Sequence, residues 1–369
     1  MANQSRWRVW AKPLIAAVAL AVIPYGTTAA APDAPVPSAA SNAWGWLVAR
    51  QPSTFAYVPA PPDQGNSGGN GDRVERVQLG DYYAIFDRIG NGSYPIGMVT
   101  ALSAGARSCM IDDSFGKDVG GDPALEIDCF DKNGQPADAR FVANIVLGGD
   151  GPTGTLGYTW ADQEATADYT PDPYYSYLSS GAGPMSVHRD SIGSYQVTMP
   201  GLGRLGGNVQ VVAAKGGPAA RCKVLALVRN GSDELVRVRC RDVPGQLVDA
   251  DFMVIFTDRV GLTGVPKRKA AYLLANRPAA ASYQPIARYR YSSMGTIPTV
   301  TRTAVGRYRV TLPGMPQGGS AQVTAYGPGV SICQVTSIRT NGLPQRIEVA
   351  CFDPNGAGVD SKFMLTYTR

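Results

Sequence analysis

The stretch CKVLALVRNGSDELVRVRC, Cys222 to Cys240, is answered by CQVTSIRTNGLPQRIEVAC, Cys333 to Cys351. In each, two cysteines stand eighteen positions apart with Asn-Gly close to the midpoint. Read as a hairpin, a three-residue turn Asn230-Gly231-Ser232 pairs Arg229 with Asp233, and following the strands outward sets Cys222 opposite Cys240. The third repeat carries the same register around Asn341-Gly342-Leu343. Alternation puts Cys222, Val224 and Ala226 on one side with Cys240, Val238 and Val236, while Lys223, Arg237 and Arg239 point the other way. One face is expected to be core and the other wet.

The hairpin belongs to a longer unit. Gly80-Asp81-Tyr82, Gly193-Ser194-Tyr195 and Gly306-Arg307-Tyr308 recur at equal spacing, each preceded four residues earlier by Arg76, Arg189 or Arg302. Upstream lie Ala49, Ala161 and Ala275, then Tyr57, Tyr169 and Tyr283. Downstream come Val99, Val211 and Val323, then the pairs Cys109/Cys129, Cys222/Cys240 and Cys333/Cys351. Each second cysteine is followed by Asp131, Asp242 or Asp353, then by Gly134, Gly245 or Gly356, then by Asp138, Asp249 or Asp360, and by Phe141, Phe252 or Phe363. One unit of about 110 residues is therefore written three times. Segments such as GSYQVTMPG, GNVQVVAA, DFMVIFTD and KFMLTYTR alternate with turn signals between them, and no helical stripe follows the N-terminal segment. The expectation is an all-β chain of three tandem disulfide-stapled β-sandwich (immunoglobulin-like) repeats, spanning 44–147, 158–258 and 272–369. With LGGDGPTGT and RVGLTGVPKR as linkers, they are expected to hang as separate beads rather than as one threefold-closed assembly.

The pattern V-x-R-x-x-x-G-x-Y-x-V-x-x-P-G, followed by G-G-x-x-Q-V, C-x-V and V-x-C-x-D-x-x-G-x-x-x-D-x-x-F, resembles repeats in a group of uncharacterised secreted bacterial proteins. The resemblance covers nearly all of the chain beyond residue 43 and implies export and a tandem β fold, with no catalytic residue to carry over. Repeat 1 departs from it, having Asp87-Arg88 where the others have Pro200-Gly201 and Pro313-Gly314.

The N-terminus supports export independently. Arg6, Arg8 and Lys12 precede the apolar run LIAAVALAVI, and Thr27 to Ala31 supply a small-residue cleavage region, so residues 1–30 read as a secretory signal peptide cut after Ala29 or Ala30. An uncleaved anchor is the alternative. Residues 31–43, rich in Pro, Ala and Ser, read as an extended leader. The formal net charge is +5, and three of the positive charges fall in the first twelve residues, which hold no acid. What remains is too little to argue for nucleic acid or a membrane surface as partner. Six cysteines in three local pairs then read as structural disulfides of a secreted protein, extracellular, or periplasmic where an outer membrane exists. Zinc ligation competes, but no Cys-x-x-Cys occurs.

No catalytic constellation emerges. A nucleophile-histidine arrangement would need His188, the one histidine, which stands at the position of Glu75 and Thr301 in a strand. Ser114 and Lys117 match S-x-x-K without its partner motifs. The Asp-x-x-Gly motifs DKNG, DVPG and DPNG read as turns bonded to their own backbone, with calcium the alternative, to which Asp112, Asp113, Asp118 and Asp122 would add oxygen ligands. No cofactor is expected. Three repeats without catalytic chemistry favour binding. The candidate site is Tyr175/Tyr177 in YTPDPYYSY with Tyr289/Tyr291 in YQPIARYRY, two residues apart, so on one face of an extended strand. Such a pair either stacks on the sugar rings of an extracellular polysaccharide or packs within the fold. A secreted protein-binding module or protease inhibitor is the alternative function.

Overall fold

The computed structural model describes residues 42–69, 71–89, 95–112, 122–148, 154–215 and 219–369. The segment expected to be a signal peptide, most of the expected leader, the first linker's centre, Asp113, Ser114, Lys117 and Asp118 lie outside the described residues.

Among the described residues each repeat builds nine strands. Repeat 1 has β1 (Ala43–Ala49), β2 (Ala56–Tyr57), β3 (Gln64–Asn66), β4 (Arg73–Gln78), β5 (Asp81–Ile85), β6 (Ile96–Ala101), β7 (Ser108–Ile111), β8 (Ala124–Phe130) and β9 (Phe141–Leu147). Repeat 2 has β10 (Thr155–Ala161), β11 (Asp168–Tyr169), β12 (Ser176–Leu178), β13 (Ser186–Ser191), β14 (Ser194–Met199), β15 (Asn208–Ala213), β16 (Arg221–Asn230), β17 (Asp233–Arg241) and β18 (Phe252–Asp258). Repeat 3 has β19 (Ala270–Ala275), β20 (Ser282–Tyr283), β21 (Arg290–Ser292), β22 (Thr299–Ala304), β23 (Arg307–Leu312), β24 (Ser320–Tyr326), β25 (Ile332–Ile338), β26 (Gln345–Phe352) and β27 (Lys362–Thr368). In every repeat these make two facing sheets. In repeat 2 the inner sheet, whose last strand reaches a neighbouring repeat, runs β12-β10-β18-β15 and the outer one β11-β13-β14-β17-β16, and the other repeats follow the same order.

All three disulfides form, Cys109–Cys129, Cys222–Cys240 and Cys333–Cys351. Each joins directly opposed residues of an antiparallel pair, and each contributes on the order of 3 kcal/mol by constraining the unfolded chain. The hairpin turn differs from the sequence expectation by one residue. Asn230 faces Asp233 and Arg229 faces Glu234, and a bulge between Val224 and Ala226 restores the register before the cysteines. Beyond that bulge the inward side chain is therefore Leu227, which is buried, and Ala226 is not.

The repeated Arg, Gly-x-Tyr and second Asp form one local device. Arg189 Nε donates to Asp249 Oδ1 at 2.9 Å, as does the Gly193 amide at 2.8 Å, and Tyr195 Oη lies 3.0 Å from the same oxygen. The Tyr195 hydroxyl also accepts from the Ala250 amide. Asp138 and Asp360 repeat the set with Arg76, Gly80 and Tyr82, and with Arg302, Gly306 and Tyr308. Glycine is required there, because Gly193 has φ +61° and a Cβ would lie 2.6 Å from the Cys240 carbonyl oxygen. The arginine bonds hold Asp249 and Asp360 below the usual carboxylate range; in Asp138 burial pulls upward, and the bonds to Arg76, Gly80 and Tyr82 outweigh it.

The separate beads expected from the linkers are corrected. Three parallel bridges join the repeats in a closed cycle: Leu102 with Val335, Ala214 with Ile111, and Tyr326 with Val224. Each links the end of an inner-sheet strand to the disulfide-bearing strand of another repeat. Their cores are shared in the same sense. Leu156, Tyr158, Trp160 and Ile255 of repeat 2 pack into repeat 1's cluster, Leu274 and Met364 of repeat 3 into repeat 2's, and Trp44, Trp46 and Val48 of repeat 1 into repeat 3's. The RVGLTGVPKR segment also packs inward, with Val260 and Leu262 buried. A polar seam fixes the register between repeats, where Gln322 Nε2 donates to the Val142 carbonyl and to Asn144 Oδ1, both at 2.9 Å, and Thr324 Oγ1 donates to Gln210 Oε1 at 3.0 Å.

Buried acids away from that seam make stability depend on pH between the carboxylate range and neutrality. Burial pushes the carboxyls of Asp72 and Glu234 up to about 7 and that of Asp251 up to about 8. A raised carboxyl favours the folded state while protonated, so this contribution is present below the ordinary carboxylate value and is lost as pH rises through the folded value. Stability to urea is expected to decline as pH rises from about 4 to about 8, and a curve that rises across that window would contradict the assignment.

Candidate functional site

The tyrosine pairs are not placed as two rings on one strand face. Tyr175 and Tyr289 sit in single turns of 3-10 helix, Pro173–Tyr175 and Ala287–Tyr289, which the Pro171-x-Pro173 and Pro285 neighbourhoods start. Only Tyr177 and Tyr291 lie in strands, β12 and β21. Each is the cross-strand partner of an inner-sheet aromatic: Tyr177 of Tyr158 at 5.7 Å between centroids, and Tyr291 of Tyr272 at 5.5 Å. In repeat 1 the corresponding pair is Trp46 and Gly65, where a Cβ would lie 3.0 Å from the indole. Tyr175 meets Trp160 edge-on at 5.0 Å, and both Tyr175 and Tyr177 pack on repeat 1's core. Tyr289 packs on repeat 2's core. All four rings are half-buried, and Tyr175, Tyr177 and Tyr289 pack between repeats. The exposed ring of YTPDPYYSY is Tyr174, at 73%.

Tyr291 differs from the other three in what surrounds it. It lines a cleft of about 380 Å³ between repeats 2 and 3, together with Tyr272, Asp258 and five arginines: Arg204, Arg229, Arg259, Arg288 and Arg290. Tyr272 Oη donates to Asp258 Oδ1 at 2.9 Å and accepts from the Arg259 amide at 3.2 Å, which ties the single carboxylate to the cleft wall. Arg204 stands 3.9 Å from Asp258, Arg290 Nη1 donates to the Pro285 carbonyl at 2.9 Å, and Arg229 Nε donates to the Gly231 carbonyl. One lining carboxylate among five guanidiniums, with the buried Glu234, which accepts from the Arg204 amide, behind Arg204 and Arg229, leaves a net positive concavity with an aromatic ring in it. This cleft escaped sequence reasoning because its arginines come from four separate segments; the tyrosine was legible, its charged surroundings were not.

A second concavity lies where the three repeats meet. It is lined by equivalent residues of all three, Val99, Val211 and Val323 among them, and by all three first cysteines, with Arg107, Arg221, Lys223 and Arg241 around it. The face expected to be wet is thus an internal one at this end of the hairpin: Lys223 is 5% exposed, and Arg221, Arg239 and Arg241 are half-buried.

The remaining candidates fall elsewhere. His188 is exposed, its Nδ1 2.7 Å from Asp168 Oδ1, and this bond raises its pKa; Asp190 lies on the other side. The Asp-x-x-Gly side chains cap their own turns: Asp131 Oδ1 accepts from the Asn133 and Gln135 amides, Asp242 Oδ1 from Gln246 and Asp353 Oδ1 from Ala357. Among the described residues no three metal-ligating side chains converge.

Compared with protein-family models, curated proteins and solved structures, the chain matches none. The class rests on the fold itself, an all-β protein of three disulfide-stapled sandwich repeats closed on one another.

Proposed function

We propose that the protein is secreted and non-catalytic, and that repeats 2 and 3 together bind an acidic extracellular polysaccharide in the Tyr291 cleft. The observation that carries this reading is the ring of Tyr291 set among five arginines facing one carboxylate. Guanidinium forks match the carboxylates of uronic acid residues, and a tyrosine face matches the apolar face of a pyranose. Three disulfides fit an oxidising compartment, where such polymers are found.

Polygalacturonate and neutral dextran test the reading with the secreted protein. Retention on polygalacturonate should be strong at low salt and fall steeply as salt is added, whereas dextran should not retain it. Arg229→Gln with Arg288→Gln, both exposed side chains, should weaken binding at least about tenfold without changing Tm. Tyr291→Phe should retain binding, and Tyr291→Ala should lose about 1 kcal/mol. Equal retention on both polymers, or indifference to the arginine changes, would reject the proposal.

A further inference from the structure

The three repeats agree closely at the disulfide except on one strip. Around Cys222–Cys240 repeat 2 carries Arg221 and Lys223 on β16 and Arg239 and Arg241 on β17. Repeat 1 has Ser108, Met110, Asp128 and Phe130 at those positions, and repeat 3 has Ile332, Gln334, Ala350 and Phe352. The fold therefore does not need cations there. Moreover, the register sets like charges directly opposite, Arg221 against Arg241 and Lys223 against Arg239, an arrangement that opposes folding.

The cations are also short of partners. Arg221 Nη2, Arg239 Nε and Arg241 Nε are buried with no hydrogen-bond acceptor, and a buried unsatisfied donor is costly. Arg221 Nε reaches Ser108 Oγ only at 3.4 Å, and Arg241 Nη1 donates to the Gly245 carbonyl. Lys223 Nζ is occupied by Gly329 O, Ser331 O and Ser331 Oγ, so it supplies charge rather than a free donor. Burial, with Arg241 and Arg239 close by, pushes its ammonium down to about 8. Arg221, Lys223, Arg241 and Arg107 line this axial cavity, where the three repeats meet, against the lining carboxylate Asp242, and Asp131 acts on Arg221 and Arg107 as well, more strongly on Arg221 than Asp242 does. The cavity holds about 80 Å³, room for several waters or one small tetrahedral ion.

We infer that this axial cavity is a binding site for a phosphate group, with Arg221 and Arg241 as its directional donors and Lys223 as a fixed countercharge. The anion would bridge Arg221 and Arg241 and relieve their repulsion, so occupancy should couple to stability. The site is distinct from the Tyr291 cleft and does not depend on that reading.

Isothermal titration of inorganic phosphate into the full chain at low ionic strength should give saturable binding at one site, and phosphate should raise Tm by about 5 °C beyond a chloride control of equal ionic strength. Glycerol 3-phosphate serves as a second arm: comparable binding means the pocket accepts a phosphomonoester end, and exclusion means it takes the free ion, and either supports the site. Arg221→Gln with Arg241→Gln should abolish the phosphate response while matching or exceeding the wild-type Tm in phosphate-free buffer. Should that pair fail to fold, Arg241→Phe, which installs the residue found in the other two repeats, should weaken phosphate at least tenfold. Arg229→Gln with Arg288→Gln should leave phosphate binding intact. The inference is overturned if phosphate stabilises no more than chloride, or if the Arg221 and Arg241 variants bind it as the wild type does.

Discussion

A fragment of residues 268–369 alone should form its disulfide Cys333–Cys351 and yet show no cooperative unfolding transition. Its core is completed by Trp44, Trp46 and Val48 from repeat 1, each worth about 1.5–3 kcal/mol on burial, which together approach the whole net stability of a domain. The fragment would in addition expose Met364 and Leu274, which repeat 2 covers, and would leave Gln322 without Asn144 and the Val142 carbonyl. Urea titration followed by tyrosine fluorescence and amide exchange decides the matter. A cooperative transition with protected amides in the fragment would restore the picture of independent beads, whereas residues 42–369 should unfold once, as a unit.

The strands and disulfides were legible because both depend on local spacing. The cysteines face each other since their hairpin closes within eighteen positions, and the recurrent Arg, Gly-x-Tyr and Asp meet because each repeat must satisfy the same buried tyrosine hydroxyl. Closure of the ring was legible too, in a signal read another way. Phe252 to Phe256 reads FMVIF, five apolar residues in succession, and such a run marks a strand covered on both faces rather than an alternating one. Every residue from Phe252 to Thr257 is buried, one side in its own sandwich and the other, through Met253 and Ile255, in repeat 1's core. The linker carried a similar sign, since Val260 and Leu262 are apolar positions that a solvated tether does not require. The bulge at Val224/Ala226 had no such mark, as Leu225 and Ala226 suit either register. The arginine cleft and the axial cavity depend on residues brought together from different repeats, which periodicity within one repeat does not reveal.

Trp46→Ala is the substitution that tests closure inside the intact chain. Trp46 is 2% exposed, packs in repeat 3's core although it belongs to repeat 1, and covers Gly65, which has no side chain to fill the space. Truncation should cost about 3–5 kcal/mol, since the rigid strands on either side cannot collapse into the cavity. Trp46→Phe should cost far less, because it keeps most of the apolar contact and removes an indole Nε1 that has no hydrogen-bond partner. The shape of the transition matters as much as its midpoint. In a closed ring the loss is felt by every repeat, so the single unfolding transition should move as a whole to lower urea with its slope unchanged. Independent repeats would instead split it, repeat 1 unfolding early while the other two keep the wild-type midpoint. A biphasic curve for Trp46→Ala would therefore refute shared cores, whatever the size of the shift.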